Sequence, residues 1–362
     1  MKLAILGGAG VRTPLFVQGI IRISEELGID RVCLMDTDTH RLNLIGFVAR
    51  QLVSRAGNPV ALECTDDARE AISGSDFVVS AIRVGGLEGR VTDETVALRY
   101  GVIGQETTGP GGICMGMRTI PVMLQYARIM KELCPNAWLI NFTNPSGMIT
   151  QAIKSSGITH RVVGVCDGPS AMFHRVATAI GVDEGRAYFD YFGLNHLGWL
   201  RGIYTDGEEA LQGAILTLTS SASADAACAS EQTDMDGGYE RIALGVIRAI
   251  RMNLHEVMVL NTCNLGAIDG IAHDAVVETP CLVDTNGLHP LAVGSVPCGC
   301  LGLMQQVKEC EMLACEAAVT GSYSAAWKAL ALHPLVPSAA VARSILDDCL
   351  DEHGALLAHI RR

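Results

Sequence analysis

The chain has 362 residues, 49% hydrophobic and 18% charged, with 39 glycines and a formal net charge of −12. That length allows two domains with sizeable cores. The acidic balance, with no basic block or stripe, argues against nucleic acid and anionic membrane as partners. No apolar run reaches the roughly 20 residues of a membrane-spanning helix, and the opening MKLAIL is too short for a secretory signal.

In chain order, KLAILGGAGVRTP reads as a buried strand, a glycine-rich turn and a helix from about Pro14 to Leu27. RVCLMD is a second strand ending in Asp36, and DFVVSAIRV, AWLINFTNP and RVVGVCD are further buried strands. IPVMLQYARIMKEL between them has helical apolar spacing. This alternation over about the first 170 residues predicts a doubly wound parallel sheet covered on both faces, an α/β architecture. GQETTGPGG, 104–112, reads as a polar loop, and 219–238 as a mobile loop or lid. YERIALGVIRAIRM is an amphipathic helix. VMVLNTCNLGAI to AVVETPCLVD reads as mixed strand and loop, and the chain from about Gly299 as helical. The 13 cysteines, odd in number and without CxxC pairs, fit a reduced cytoplasmic protein.

Gly7, Gly8 and Gly10 lie between a strand and a helix, the context of a pyrophosphate cradle, although Thr13 stands where a third motif glycine would fall. Asp36, at the next strand end, suits a ribose 2′-hydroxyl and favours NAD over NADP; a helix cap is its plainer role. Arg83 and Arg90 flank a glycine-rich strand exit that suits an anion, although an arginine taken alone is more often an ordinary ion-pair residue. Cys166 and His196 are a soft donor and an imidazole at element ends, beside Asp167 and Asn195. Their separation of 30 residues matches no short metal-binding pattern, so a buried thiol and a satisfied core histidine remain the plain alternative. Tyr239 opens a helix after two glycines.

GQETTGPGG, NFTNPSG, VGVCDGP, GLNHLGW and GGY, with NLGAI, AVVETPCLVD and HPLVPS after them, fall in the order seen in glycoside hydrolase family 4. The chain resembles that family over nearly its whole length. IRVGGLEGRVTDE followed by GVIGQETTGPGG is most similar to the 6-phospho-β-glucosidase branch. The resemblance implies a Rossmann-like NAD domain, residues 1–195, and a C-terminal α+β domain for substrate and oligomerisation, residues 196–362. It implies a metal, usually Mn²⁺, on Cys166 and His196; Asn144 and Arg90 on the substrate, with Arg83 beside them; and Tyr239 as base. Asp167, which matches the α-acting proton donor, and Arg12, at a position where the β-branch usually has a different residue, depart from that branch. The implied reaction oxidises the sugar at C3 with NAD, removes the C2 proton, eliminates the C1 substituent, adds water and returns the hydride. Its substrates would be phosphorylated disaccharides or aryl glycosides, in a homodimer or homotetramer. A 6-phospho-α-glucosidase, and an NAD-dependent dehydrogenase of a hydroxy acid or sugar, are the alternative activities.

Overall fold

A computed structural model describes residues 1–210 and 238–361, without the side chain of Tyr239. The expected lid at 219–238 lies outside the described residues except for Gly238. The first half alternates β1 (Lys2–Leu6), α1 (Thr13–Leu27), β2 (Arg31–Met35), α2 (Thr39–Arg55), β3 (Ala61–Thr65), α3 (Ala68–Ile72), β4 (Phe77–Ser80), α4 (Gly86–Arg99), α5 (Gly109–Leu133), β5 (Trp138–Asn141), α6 (Ser146–Ser155), β6 (Val162–Gly164) and α7 (Gly168–Ile180). Strands β1 to β6 are parallel in the order β3-β2-β1-β4-β5-β6. The order reverses direction beside β1, and open sheets of this kind take ligands at that point, beyond the strands' carboxyl ends.

Period-2 alternation sorts the strand side chains. In β1, Leu3 and Ile5 enter one core with α1 and α2, while Ala4 and Leu6 enter the other with α5 and α6. Both faces are covered, which is why the strands read as continuous apolar runs.

The second half adds β7 (Ala187–Leu194), β8 (Leu197–Thr205), β9 (Glu208–Glu209), α8 (Tyr239–Met252), β10 (Glu256–Cys263), β11 (Val276–Asp284), β12 (Gly287–Pro290), α9 (Cys298–Thr320), α10 (Tyr323–Ala331) and α11 (Ala339–His353). Its strands extend the same sheet antiparallel, β10 joining β6 at Asn261 and Gly164, and β7 joining β11 at Gly193 and Glu278. The β7–β8 hairpin straddles residue 195. Helix α8 packs on the α1 face and α9 to α11 on the α5 face.

One reading changes. Gly109–Gly112 are not loop but the first turn of α5, with Pro110 at its entry where a missing amide does no harm. The glycines are needed for closeness, since a Cβ on Gly112 would stand 2.1 Å from Thr107 O. Among the described residues no helix is long and apolar enough to cross a membrane.

Candidate active site

The glycine turn after β1 is built by contacts a side chain would block. Gly7 has φ +90°, and a Cβ on it would lie 2.6 Å from Ala81 O. The Gly7 and Gly8 amides both donate to Met35 O, at 2.9 and 2.8 Å, so these two glycines shape the turn. Gly10 is close-packed on the turn as well: a Cβ would meet Gly7 O at 3.3 Å and then Thr13 Oγ1 at 3.6 Å. Helix α1 starts without a side-chain cap or an acidic residue in its first turn, so its partial positive charge is left for an anion. Asp36 follows β2 directly; its Oδ2 accepts the Ala9 amide at 3.0 Å and its Oδ1 the Asp38 amide at 3.1 Å. These residues therefore lie together, and a tight glycine turn, a bare helix start and a carboxylate fit a dinucleotide.

Cys166 and His196 also meet. Cys166 follows β6, and His196 occupies the two-residue turn between β7 and β8 with a left-handed φ of +60°. Cys166 Sγ lies 3.5 Å from His196 Nε2. Sulfur and nitrogen bound to one cation at about 2.3 and 2.1 Å lie about 3.1–3.6 Å apart for angles of about 90–110°. Among the described residues no group of three or more His, Cys, Asp or Glu is placed to hold a metal.

Acidic groups surround the pair. Glu278, on β11, is fully buried, and its carboxyl oxygens accept from neutral donors: Tyr191 OH at 2.6 Å, Asn261 Nδ2 at 2.9 Å and Asn195 Nδ2 at 3.3 Å. Burial pushes its pKa above the ordinary carboxylate value, against those three hydrogen bonds. Burial, then Glu278, push the Cys166 thiol up to about 12. Cys166 and His196 would be the residues to hold a divalent cation, which would favour the thiolate and the carboxylate over their protonated forms. Gly198 makes room for the network: a Cβ there would strike Tyr191 OH at 1.9 Å.

Asp167 is the first residue of the α7 entry, 4.0 Å from Arg12 of the glycine turn. Gly238, just before Tyr239, backs onto it, a Cβ there being 3.4 Å from Asp167 Oδ2. The start of α8 is thus brought to Asp167, while the Tyr239 side chain lies outside the described atoms. Asn144 precedes a cis peptide bond to Pro145 at the start of α6.

Arg83 and Arg90 converge on Glu106. Arg90 Nη1 is 2.9 Å from Glu106 Oε2 and its Nε 2.8 Å from Glu94 Oε1, and Arg83 pairs with the other Glu106 oxygen. Glu106 and Glu278 were not singled out from sequence. For Glu278 there was a signal, a lone carboxylate in the apolar run VVETPCLV. For Glu106 there was only the loop that contains it.

Residues 2–182 match the family described as "Family 4 glycosyl hydrolase", and residues 219–336 its C-terminal domain. The chain belongs to glycosyl hydrolase family 4. It is 34% identical to a probable 6-phospho-beta-glucosidase of Bacillus subtilis, over 99% of this chain and 97% of that protein. That alignment spans 429 positions against the 362 residues of this chain, so at least 67 residues of this family 4 relative have no counterpart in it. Among solved family 4 structures, a 6-phospho-alpha-glucosidase from gut microorganisms in complex with NAD and Mn²⁺ superposes with a TM-score of 0.91 at 25% identity, covering 98% of both chains. The Thermotoga maritima 6-phospho-beta glucosidase with manganese, NAD⁺ and glucose-6-phosphate gives 0.86 at 27%, again over 98% of both.

Proposed function

We propose that this family 4 enzyme hydrolyses 6-phospho-β-glucosides with NAD and a divalent metal. The observation that carries the reading is the Cys166–His196 pair, 3.5 Å apart, in a chain that also carries the Gly7–Gly10 turn with Asp36. Cys166 and His196 would hold the metal, usually Mn²⁺ in this family, and the glycine turn with Asp36 the NAD; when bound, these supply Lewis-acid polarisation and reversible hydride exchange. Arg90 and Arg83 hold the 6-phosphate, gathered by Glu106, and Asn144 binds the sugar. Tyr239 removes the proton at C2, and Asp167 gives a proton to the departing oxygen. This chemistry needs no carboxylate pair across the glycosidic bond, which sets it apart from most glycosidases.

We assign the nucleotide to residues 1–195 and completion of the substrate site to residues 196–362. A homodimer or homotetramer is part of the proposal, supported by Leu87, Val91 and Leu98 exposed along α4, and sedimentation checks it. A cytoplasmic location is supported by the free thiols among the described cysteines.

A second reading, α-linked 6-phosphoglucosides, is favoured by Asp167 after the cysteine and by the 0.91 superposition. A panel of α- and β-linked 6-phosphoglucosides, with and without NAD⁺ and Mn²⁺, decides between them. The proposal expects β-linked cleavage that needs both additions and releases no net NADH. Stoichiometric NADH would mean a dehydrogenase instead.

A further inference from the structure

Arg118, on α5, is the largest fully buried side chain of the described residues, and the proposed chemistry does not use it. Its side chain is 0% exposed and that of its partner, Asp93 on α4, 1%. Nη1 and Nη2 donate to Asp93 Oδ1 and Oδ2 at 2.7 and 2.5 Å, and Nε donates to Val84 O at 2.9 Å. His353, on α11, closes the network from behind, with Nε2 2.8 Å from Asp93 Oδ1. The chain wraps the guanidinium closely: a Cβ on Gly89 would lie 3.3 Å from Nη2 and one on Gly85 3.4 Å from Nε.

A buried ion pair contributes little net stability compared with apolar packing of the same volume, because desolvating two charges opposes their attraction. What it does impose is geometry, since a planar fork accepts partners in few orientations. Here the fork grips both ends of one segment. Val84 follows Arg83 directly. Asp93 lies three residues after Arg90, one turn along the same helix.

We propose that Arg118 is a positioning residue for the phosphate-binding arginines. By fixing Val84 and Asp93 it sets where Arg83 and Arg90 stand relative to the Cys166–His196 pair. The network also makes the α11 helix a support of the site, because His353 braces Asp93 while Arg99 and Tyr100 at the end of α4 bond Glu352 and Asp348 of α11. This inference rests on the reading of Arg83 and Arg90 as the phosphate-binding pair.

The test uses the full enzyme with NAD⁺ and Mn²⁺ and three variants. The double variant Arg118→Met with Asp93→Leu removes the pair without leaving either charge unpartnered. Arg118→Lys keeps the ion pair but cannot bridge Val84 and Asp93 together, so it carries the test if the double variant does not fold. Arg90→Ala is the control. For the double variant the expected result is a KM for the phosphorylated substrate, and a Ki for glucose 6-phosphate, raised about tenfold, with kcat within about threefold and NAD⁺ affinity unchanged. Arg118→Lys should show the same split with a smaller rise. General damage to the fold would instead lower kcat and nucleotide binding together. Parental KM and Ki in a folded variant, or a fall in kcat at unchanged KM, overturns the inference. If Arg90→Ala also leaves KM and Ki at parental values, the phosphate reading itself fails; if Arg90→Ala raises them and the Arg118 variants do not, only the positioning role fails.

Discussion

The parallel and antiparallel halves of the sheet furnish the site in different ways. Around the proposed nucleotide cradle the parallel half works mostly through backbone, with a glycine turn, uncapped helix starts and one carboxylate at a strand end, and beyond β6 it adds the Cys166 side chain. The antiparallel half works through side chains. His196 sits in a hairpin turn, and Glu278, Asn261, Tyr191 and Asn195 form a buried network that depends on two single-residue bridges between strands far apart in sequence. A site for a constant ligand such as a dinucleotide can be made of peptide groups, whereas placing a metal donor within tenths of an ångström takes packed and hydrogen-bonded side chains.

The strongest way to break this comparison is to remove one donor from each contributor of the metal pair. Cys166→Ser and His196→Ala should each cost at least about 1,000-fold in kcat, the several kcal/mol a Lewis acid supplies. Each should bind NAD⁺ as the parent does, because the proposed nucleotide cradle is the glycine turn and the start of α1. Calorimetric titration of both ligands checks it, and joint loss of metal and nucleotide binding would show that the two sites are not separable.

A second test concerns stability in the His333 region, beside the cavity of about 300 Å³ that reaches His196. Burial lowers the His333 pKa from its ordinary 6.5 to about 4. The folded chain therefore binds this proton more weakly than the unfolded chain. The stability contribution is present in full above pH 6.5 and is lost as pH falls through about 4. The loss amounts to about 3 kcal/mol by pH 4. His333→Gln should flatten that part of the denaturation profile between pH 6.5 and 4; an unchanged slope would contradict the burial argument.

The smallest expected effect sharpens the backbone side. Asp36→Asn keeps an acceptor for the Ala9 amide but loses the charge. NAD⁺ affinity should fall about threefold to tenfold, with a narrowed preference over NADP⁺. Fluorescence titration of both nucleotides measures this. Equal preference in the parent enzyme would remove Asp36 from the cofactor site.

The same contrast explains what was legible in the sequence. The parallel half could be read because each of its signals is local. KLAILGGAGVRTP carries its strand, turn and helix in one stretch, and the helix runs Thr13–Leu27 against an expected Pro14–Leu27. The antiparallel half was read only as mixed strand and loop, since pairing of Glu278 with Gly193 or Asn261 with Gly164 leaves no trace in either segment alone. Cys166 and His196 were paired by the family resemblance and not by their spacing; no spacing rule links a residue in a β-hairpin turn to one in a βα connection. The start of α5 was misread because four residues of GPGG resemble a loop until the close approach of Thr107 O is known. The clamp of Arg118 on Asp93 and Val84 was hidden for the same reason, as 25 and 34 residues separate it from those partners.

The central claim is that the glycosidic bond breaks by elimination after proton removal at C2. Turnover of a 6-phospho-β-glucoside in D₂O with NAD⁺ and Mn²⁺ tests it most directly, with the released sugar phosphate followed by NMR. The account predicts deuterium at C2, and loss of both label and product when NAD⁺ is omitted. Product formed equally fast without NAD⁺ and carrying no deuterium at C2 would mean direct displacement at C1, and would contradict the roles assigned to the nucleotide cradle and the metal pair alike.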